Sequence, residues 1–205
     1  MAYRLLLFMA ACVSLAAQDA APVFLRWNAA QCETVGRSTY AKGTIKGRRT
    51  ILATERSHSY KLRATWFTPE VIRANARLVQ LRDGLSDEET IELVRSAETI
   101  GGIVVMLEFD PNEGSGVVPR GWSALLRVNQ QGPIAGRQSP ELRNVKVFQG
   151  THKRNYDYDR FWVLFPLKGT SEAVRIASPT IQVTVQIEGK EETISWTVPA
   201  SLRGE

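Results

Sequence analysis

The sequence predicts an α+β protein, mostly antiparallel β and sandwich-like, with about eight strands and one inserted helical hairpin. Three observations support this class. Polar and apolar residues alternate in several short segments, as in half-buried strands. Between about 69 and 98 the apolar period changes to that of a helix. The 205-residue chain shows no internal repeat and no low-complexity tract, which suits one domain with a substantial core.

The N-terminal segment has the order of a secretory signal peptide. Arg4 precedes an apolar run over 5–15, and small residues follow up to Ala17. The run is shorter than the ~20 apolar residues of a membrane span. We expect removal of residues 1–17, with export to the periplasm or the extracellular space and no transmembrane span. The sequence "MAAC" resembles a bacterial lipoprotein signal, which leaves lipid anchoring at Cys12 as an alternative.

The next part of the chain divides into two regions. Residues 18–45 contain only short apolar patches and predict an extended N-terminal arm or an edge strand. Residues 46–205 predict a single β-rich domain that contains the helical hairpin. Near its start, "YKLRATWF" alternates apolar residues with Lys61 and Arg63, the period-two pattern of a half-buried strand.

The helical hairpin is predicted over about 69–82 and 87–98. Thr68 is a suitable N-cap for the first helix, because its hydroxyl can accept a hydrogen bond from a free backbone N–H. Proline follows at the first helical position, where it is also favoured. The second helix opens with Ser86 and Glu89, the spacing of a capping box. Both helices carry an apolar stripe, which predicts that the hairpin packs on the core.

The remainder of the chain returns to β structure. "IVVMLEF" is a continuous apolar run, as expected of a strand that is covered on both faces. Further strand candidates are "TILAT", "WSALLRV", "VKVFQ", "RFWVLFPL" and "AVRIA". "TIQVTVQI" and the alternating segment after "EGKE" predict a β-hairpin with one buried face.

Cysteine and histidine content limits the chemistry. After signal cleavage only Cys32 remains, so no intrachain disulfide forms. Cys32 is most simply a small buried side chain, with intermolecular pairing as the alternative. The chain has two histidines, too few for a His-rich zinc site. No nucleophile-elbow motif is present, and no cofactor is predicted.

The stretch "THKRNYDYDRFWVLFPL" contains the sharpest site candidate. In a strand, Asp157 and Asp159 share one face just before both faces become apolar after Arg160. The simplest interpretation is that they form surface ion pairs. A calcium site is the alternative, with oxygen ligands from Asn155, Asp157, Asp159 and Asp110. A second alternative is catalysis, in which Asp157 and Asp159 serve as the acid and base of a glycan hydrolase.

A basic stretch lies between 37 and 63. It contains eight Lys and Arg residues and one acidic residue, Glu55. The simplest interpretation is a solvated face partly neutralised by the acidic start of the second helix. The alternative is an anionic partner bound through part of this stretch, namely Lys46, Arg48, Arg49, Lys61 and Arg63. Sparse aromatic residues disfavour nucleic acid.

These observations predict an exported protein of the bacterial envelope that is a non-enzymatic binding or structural module. The alternative is a hydrolase of envelope glycans that uses Asp157 and Asp159. The formal net charge of +5 is consistent with an anionic partner. No motif identifies that partner, and none identifies a substrate.

Overall fold

A computed structural model describes residues 21–46, 59–111, 121–128, 132–149, 159–167 and 178–203, with single positions 119 and 176. Within these ranges the chain forms two antiparallel sheets and three α-helices. The predicted class, an α+β protein with a sandwich-like β core and an inserted helical hairpin, is confirmed.

Nine strands make up the two sheets of the described chain. They are β1 (Tyr40–Ile45), β2 (Tyr60–Trp66), β3 (Ile103–Pro111), β4 (Trp122–Val128), β5 (Ile134–Ala135), β6 (Arg137–Gln138), β7 (Asp159–Phe165), β8 (Thr180–Ile187) and β9 (Lys190–Thr197). The first sheet has the order β1-β2-β3-β7-β6, and the second has the order β5-β4-β8-β9. All pairs are antiparallel.

The main core lies between the two sheets. Its strands contribute every second residue, as the pleat requires. In the predicted hairpin of β8 and β9, the inward-facing residues of β8 are fully buried: Ile181, Val183, Val185 and Ile187. Trp66 of the first sheet meets Trp196 of the second edge to face, with ring centroids 6.3 Å apart. The Trp196 indole N–H also donates to the Thr39 carbonyl at 2.6 Å, so it is satisfied although buried.

One pair of sheet edges is held close together. β1 and β9 are edge strands of different sheets, and they lie side by side. A Cβ added to Gly43 would lie 2.7 Å from Cγ of Glu192, closer than real Cβ contacts allow. Glycine at this position therefore leaves room for the Glu192 side chain beside β1.

The helices cover part of the outer face of the first sheet. They are α1 (Ala29–Gly36), α2 (Pro69–Asp83) and α3 (Asp87–Glu98). The predicted bounds of the hairpin are confirmed, with α2 one residue longer. The Thr68 hydroxyl caps α2, and Ser86 with Glu89 forms the expected capping box of α3. Gly84 ends α2 in the left-handed conformation, at φ 70°.

The helix layer has its own apolar core. Val71 and Ile72 of α2 and Val94 of α3 pack with Val104, Met106 and Trp162 of the sheet. At the end of α2, two cations hold the pKa of the Asp83 carboxyl well below its usual range. The hydrogen bond from Arg82 has the larger effect, and the one from Lys146 has the smaller. The Lys146 contact, at 3.0 Å, ties α2 to the turn at 146–148. The hairpin is therefore an integral layer.

β3 belongs to both cores. Its residues alternate between the inter-sheet core, which includes Val105 and Leu107, and the helix-layer core, which includes Val104 and Met106. This double burial explains the continuous apolar run that the sequence shows, and it confirms the predicted strand that is covered on both faces.

Two predictions of local structure were wrong in whole or in part. Residues 18–45 were expected to form an extended arm or an edge strand. β1 is an edge strand, but a 3-10 turn at Val23–Arg26 and helix α1 precede it. α1 begins with a capping box between Asn28 and Gln31, and it buries only Cys32 and Gly36, too few apolar positions to show a stripe. The burial predicted for Cys32 is confirmed, because its side chain is fully buried.

The second error concerns "VKVFQ", which was expected to be a strand. The chain forms 3-10 turns there, at Pro140–Asn144 and Lys146–Phe148. Val147 and Phe148 are buried, and the Asn75 side-chain amide of α2 donates to the Val147 carbonyl at 2.7 Å. Burial under a helix therefore explains the apolar residues of this segment. The candidate strand "TILAT" and almost all of "AVRIA" lie outside the described residues.

Candidate functional site

The helix layer leaves one end of the first sheet's outer face to charged residues. Toward the end of β3 and the starts of β2 and β7, polar side chains replace the apolar ones that contact the helices. We call this region the charged face. It consists of Lys42, Lys46, Lys61, Arg63, Glu108, Asp110 and Arg160.

Strand register brings these residues together from distant parts of the sequence. Lys42 pairs with Arg63, Arg63 with Glu108, and Glu108 with Arg160, so one row crosses four strands. Lys61 and Asp110 pair in the next row. Paired positions of antiparallel strands share a face of the sheet, and therefore the row is a consequence of the pleat.

The centre of the row is an ion pair with a buried carboxylate. The Glu108 side chain is only 1% exposed, and the Arg160 Nε donates to its Oε1 at 3.1 Å. Arg63 lies on the other side of Glu108 in the register and forms an ion pair with Asp110 at 3.7 Å. A buried carboxylate loses its hydration, which is offset only when cations and hydrogen bonds surround it.

The lysines at the periphery have a different environment. Lys42, Lys46 and Lys61 are exposed. Among the residues that the structure describes, no carboxylate forms an ion pair with any of the three. The Lys42 ammonium lies 5.7 Å from the centroid of the Tyr40 ring. The carboxylates of the face are thus paired with its arginines, while the lysines present positive charge to solvent.

Among the described residues, three acids at the start of α3 have partners within the helical hairpin. Glu89 closes the capping box on Ser86, and Glu92 pairs with Arg95. Asp87 accepts a hydrogen bond from the Gln80 side chain. These acids serve the helical hairpin itself.

The structure separates some of the residues that the sequence grouped. Asn155, Asp157, Arg48 and Arg49 lie outside the described residues. Position 159 pairs with Phe109 at the start of β7, whereas Asp110 is the next residue along β3. Adjacent positions of a strand belong to opposite faces of the sheet, so positions 110 and 159 do not share a face.

The metal and hydrolase hypotheses depend on residues outside this description. Within the described ranges, no group of three or more His, Cys, Asp and Glu side chains is arranged to hold a metal ion. Asn155 and Asp157 are not among those residues. Calcium binding, and glycan hydrolysis by Asp157 and Asp159, therefore stay predictions.

Sequence reasoning missed the role of Glu108. The residue lies within the apolar run "IVVMLEF", and β3 continues past it to Pro111. The available signal was one acid inside that run, because a carboxylate on a strand with two buried faces requires a cationic neighbour. Arg160 was noticed as the point at which both faces become apolar. Its contact with Glu108, 52 residues earlier in the chain, is set by the strand register and is not visible in the sequence.

Comparisons with known proteins leave the function open. No protein family and no curated protein matches the sequence. Among solved structures, the chain is similar to a protein of unknown function from Burkholderia pseudomallei. The two are 14% identical, the match covers 73% of this chain and 80% of that chain, and the TM-score is 0.39. In the part of the chain described by the structure, no helix has the length and apolar character to cross a membrane.

Proposed function

We propose that this chain is an exported protein of the bacterial envelope, and that it is a non-enzymatic module that binds an anionic envelope component through the charged face. The observation that carries the proposal is the arrangement of Lys42, Lys46 and Lys61. Lys42 and Lys61 lie on one side of the first sheet, Lys46 follows the end of β1, and the carboxylates nearest to the two strand lysines in the register are paired with arginines.

The chemistry of the face favours phosphate or carboxylate groups spread over a surface or a polymer. Three exposed ammonium groups are point charges with rotatable donors, and they attract anions without a fixed geometry. Juxtaposed lysines contribute ~1 kcal/mol each when they approach an anionic lipid surface. Arg63 and Arg160 add positive charge behind the lysines but are engaged with Asp110 and Glu108.

The test replaces the three lysines together. Binding of the parent to vesicles containing phosphatidylglycerol should exceed binding of the variant Lys42→Gln/Lys46→Gln/Lys61→Gln by about 100-fold at low salt, from ~1 kcal/mol per lysine. A matched control removes the same charge elsewhere, with Arg26→Gln, Arg127→Gln and Arg137→Gln, three exposed residues outside the charged face. It should retain most of the affinity.

A second arm of this experiment distinguishes the source of the anion. Soluble polyphosphate that competes with vesicles at low concentration indicates recognition of phosphate itself, whereas poor competition indicates a lipid surface. A parent that binds neither vesicles nor polyphosphate would contradict the proposal. If the lysine variant and the control lose vesicle affinity equally, binding depends on net charge and not on the charged face.

Export is tested separately by the intact mass of the secreted protein. The signal-peptide pattern predicts a mature chain that begins near Gln18. A chain that begins at Cys12 and carries a diacylglyceryl group would instead establish lipid anchoring. A full-length chain that keeps residues 1–17 and stays in the cytoplasm would contradict export.

A further inference from the structure

A cavity of about 460 Å³ lies at the end of the sheet opposite the charged face. It is located where α3 turns into β3, below the corner at Ile100–Gly102. Its walls are mainly apolar and come from both the helix layer and the first sheet; they include Trp66, Phe67, Ile72, Phe148, Leu164 and Ile176.

A corner of two glycines borders this cavity. Gly101 and Gly102 both have positive φ, 72° and 75°. A Cβ on Gly102 would lie 2.4 Å from the Phe165 carbonyl oxygen, so no larger residue fits there. The chain therefore turns from α3 into β3 tightly against Phe165, at one edge of the cavity. A mainly apolar cavity of this size is a candidate ligand site.

The polar groups of the cavity are concentrated in one ion pair. Arg73 of α2 contacts Glu98 of α3 at 3.0 Å, and both side chains are partly exposed, at 39% and 36%. Only one guanidinium nitrogen takes part in this contact. The pair therefore offers a ligand both donors, from Arg73, and acceptors, from Glu98.

We propose that this cavity binds the apolar chain of an uncharged amphiphile with a hydroxyl-bearing head group, such as a monoacylglycerol. A volume of about 460 Å³ is within the ~300–1,000 Å³ range of small-molecule sites. A hydroxyl group both donates and accepts, so it matches the Arg73–Glu98 pair. The pair has no net charge, so a charged head group would be attracted by one partner and repelled by the other while it loses hydration at the rim. This site is distinct from the charged face and goes beyond the function proposed above.

The first test is calorimetric titration with monodecanoylglycerol below its micellar concentration. The parent should bind one molecule per chain, and the melting temperature should rise with ligand concentration because only the folded state binds. Decanoate and decyltrimethylammonium carry the same chain with charged heads. They should bind several-fold more weakly, because a neutral ion pair gives a charged head group no net attraction to offset its lost hydration.

Two sets of variants locate the ligand. Ile100→Trp fills the mouth of the cavity and should lower the affinity for monodecanoylglycerol by about tenfold or more, roughly the loss of two buried methylene groups. Leu81→Trp is the matched control, because Leu81 lies on α2 outside the cavity and is 47% exposed. Its affinity should equal that of the parent.

A further variant tests the head-group assignment without changing the volume of the cavity. Glu98→Gln removes the repulsive charge and leaves Arg73, so decanoate affinity should rise by about tenfold. The proposal is overturned if the parent shows no saturable binding of monodecanoylglycerol, or if Ile100→Trp folds and binds as the parent does. It is also overturned if decanoate binds the parent more tightly than monodecanoylglycerol.

Discussion

Glu108 shows how one residue can depend on a distant partner. Its carboxylate is buried at the centre of the charged face, and Arg160 is a partner at hydrogen-bond distance. Removing a partner from a buried ion pair leaves a charge with incomplete compensation, whereas removing both partners is much less unfavourable. The pair therefore stabilises the junction of β3 and β7 only as a unit.

A double-mutant cycle tests this dependence. Arg160→Met should lower the free energy of unfolding by about 2–4 kcal/mol, because Glu108 stays buried and charged. Glu108→Gln should cost less, about 1 kcal/mol, since the amide still accepts a hydrogen bond from Arg160. The double variant should be more stable than the sum of the two losses predicts, by about 1 kcal/mol or more. Urea unfolding of the four proteins measures the coupling, and strict additivity would show that the pair is not an energetic unit.

Residue-level prediction from the sequence succeeded where the information was local. The alternation in "TIQVTVQI" was sufficient to identify the buried face of β8, because the pleat has a fixed period. The capping box at Ser86 and Glu89 was equally local. The contact between Glu108 and Arg160 is set by the register of β3 and β7, which no local pattern reports. The charged face was therefore predicted only in part, through Lys46, Lys61 and Arg63.

Among the elements, the helical hairpin depends most on burial for its stability. Val71 of α2 is fully buried, whereas Leu81 on the same helix is 47% exposed. Ile91 of α3, which belongs to the stripe predicted from the sequence, is half-buried and packs at the margin of this core. The apolar stripe of a helix therefore contains positions of unequal energetic weight.

Matched substitutions in α2 test this difference. Val71→Ala should lower the free energy of unfolding by about 2 kcal/mol, from the lost transfer energy of two methylene equivalents and a residual cavity. Leu81→Ala should change it by less than about 0.5 kcal/mol, as an exposed residue does. Both are measured by urea unfolding. Similar small losses at the two positions would indicate that the hairpin is loosely attached.

Whether an element was predicted depended on how strongly its sequence repeats. α2 and α3 have caps and apolar stripes, and their bounds follow from those features. α1 is short and weakly amphipathic, so its capping box at Asn28 was the only signal. Val147 and Phe148 of the 3-10 turn at 146–148 are apolar because α2 covers them, and tertiary burial can imitate a strand pattern.

In the whole molecule, the first sheet connects two cores that would otherwise be independent. One face packs on the second sheet and the other packs on the helices. Loss of the helix layer would expose Val104, Met106 and Trp162 while the sandwich remained folded. Because β3 supplies both cores, we expect that intermediate to be poorly populated and the described layers to unfold together.

Two probes placed in different layers test cooperative unfolding. In a chain that begins at Gln18, Cys32 is the one cysteine; it is fully buried in α1, and burial raises the pKa of its thiol, so it reacts slowly until the helix layer opens. Trp66 and Trp196 report on the inter-sheet core through fluorescence. Pulse labelling of Cys32 and tryptophan fluorescence should give the same urea midpoint. A control with Cys32→Ser and Ala74→Cys moves the thiol to a buried position of α2, which separates fraying of α1 from opening of the whole layer. If both thiols react at a urea concentration that leaves fluorescence unchanged, the helix layer unfolds separately, and residues 46–205 do not behave as a single domain.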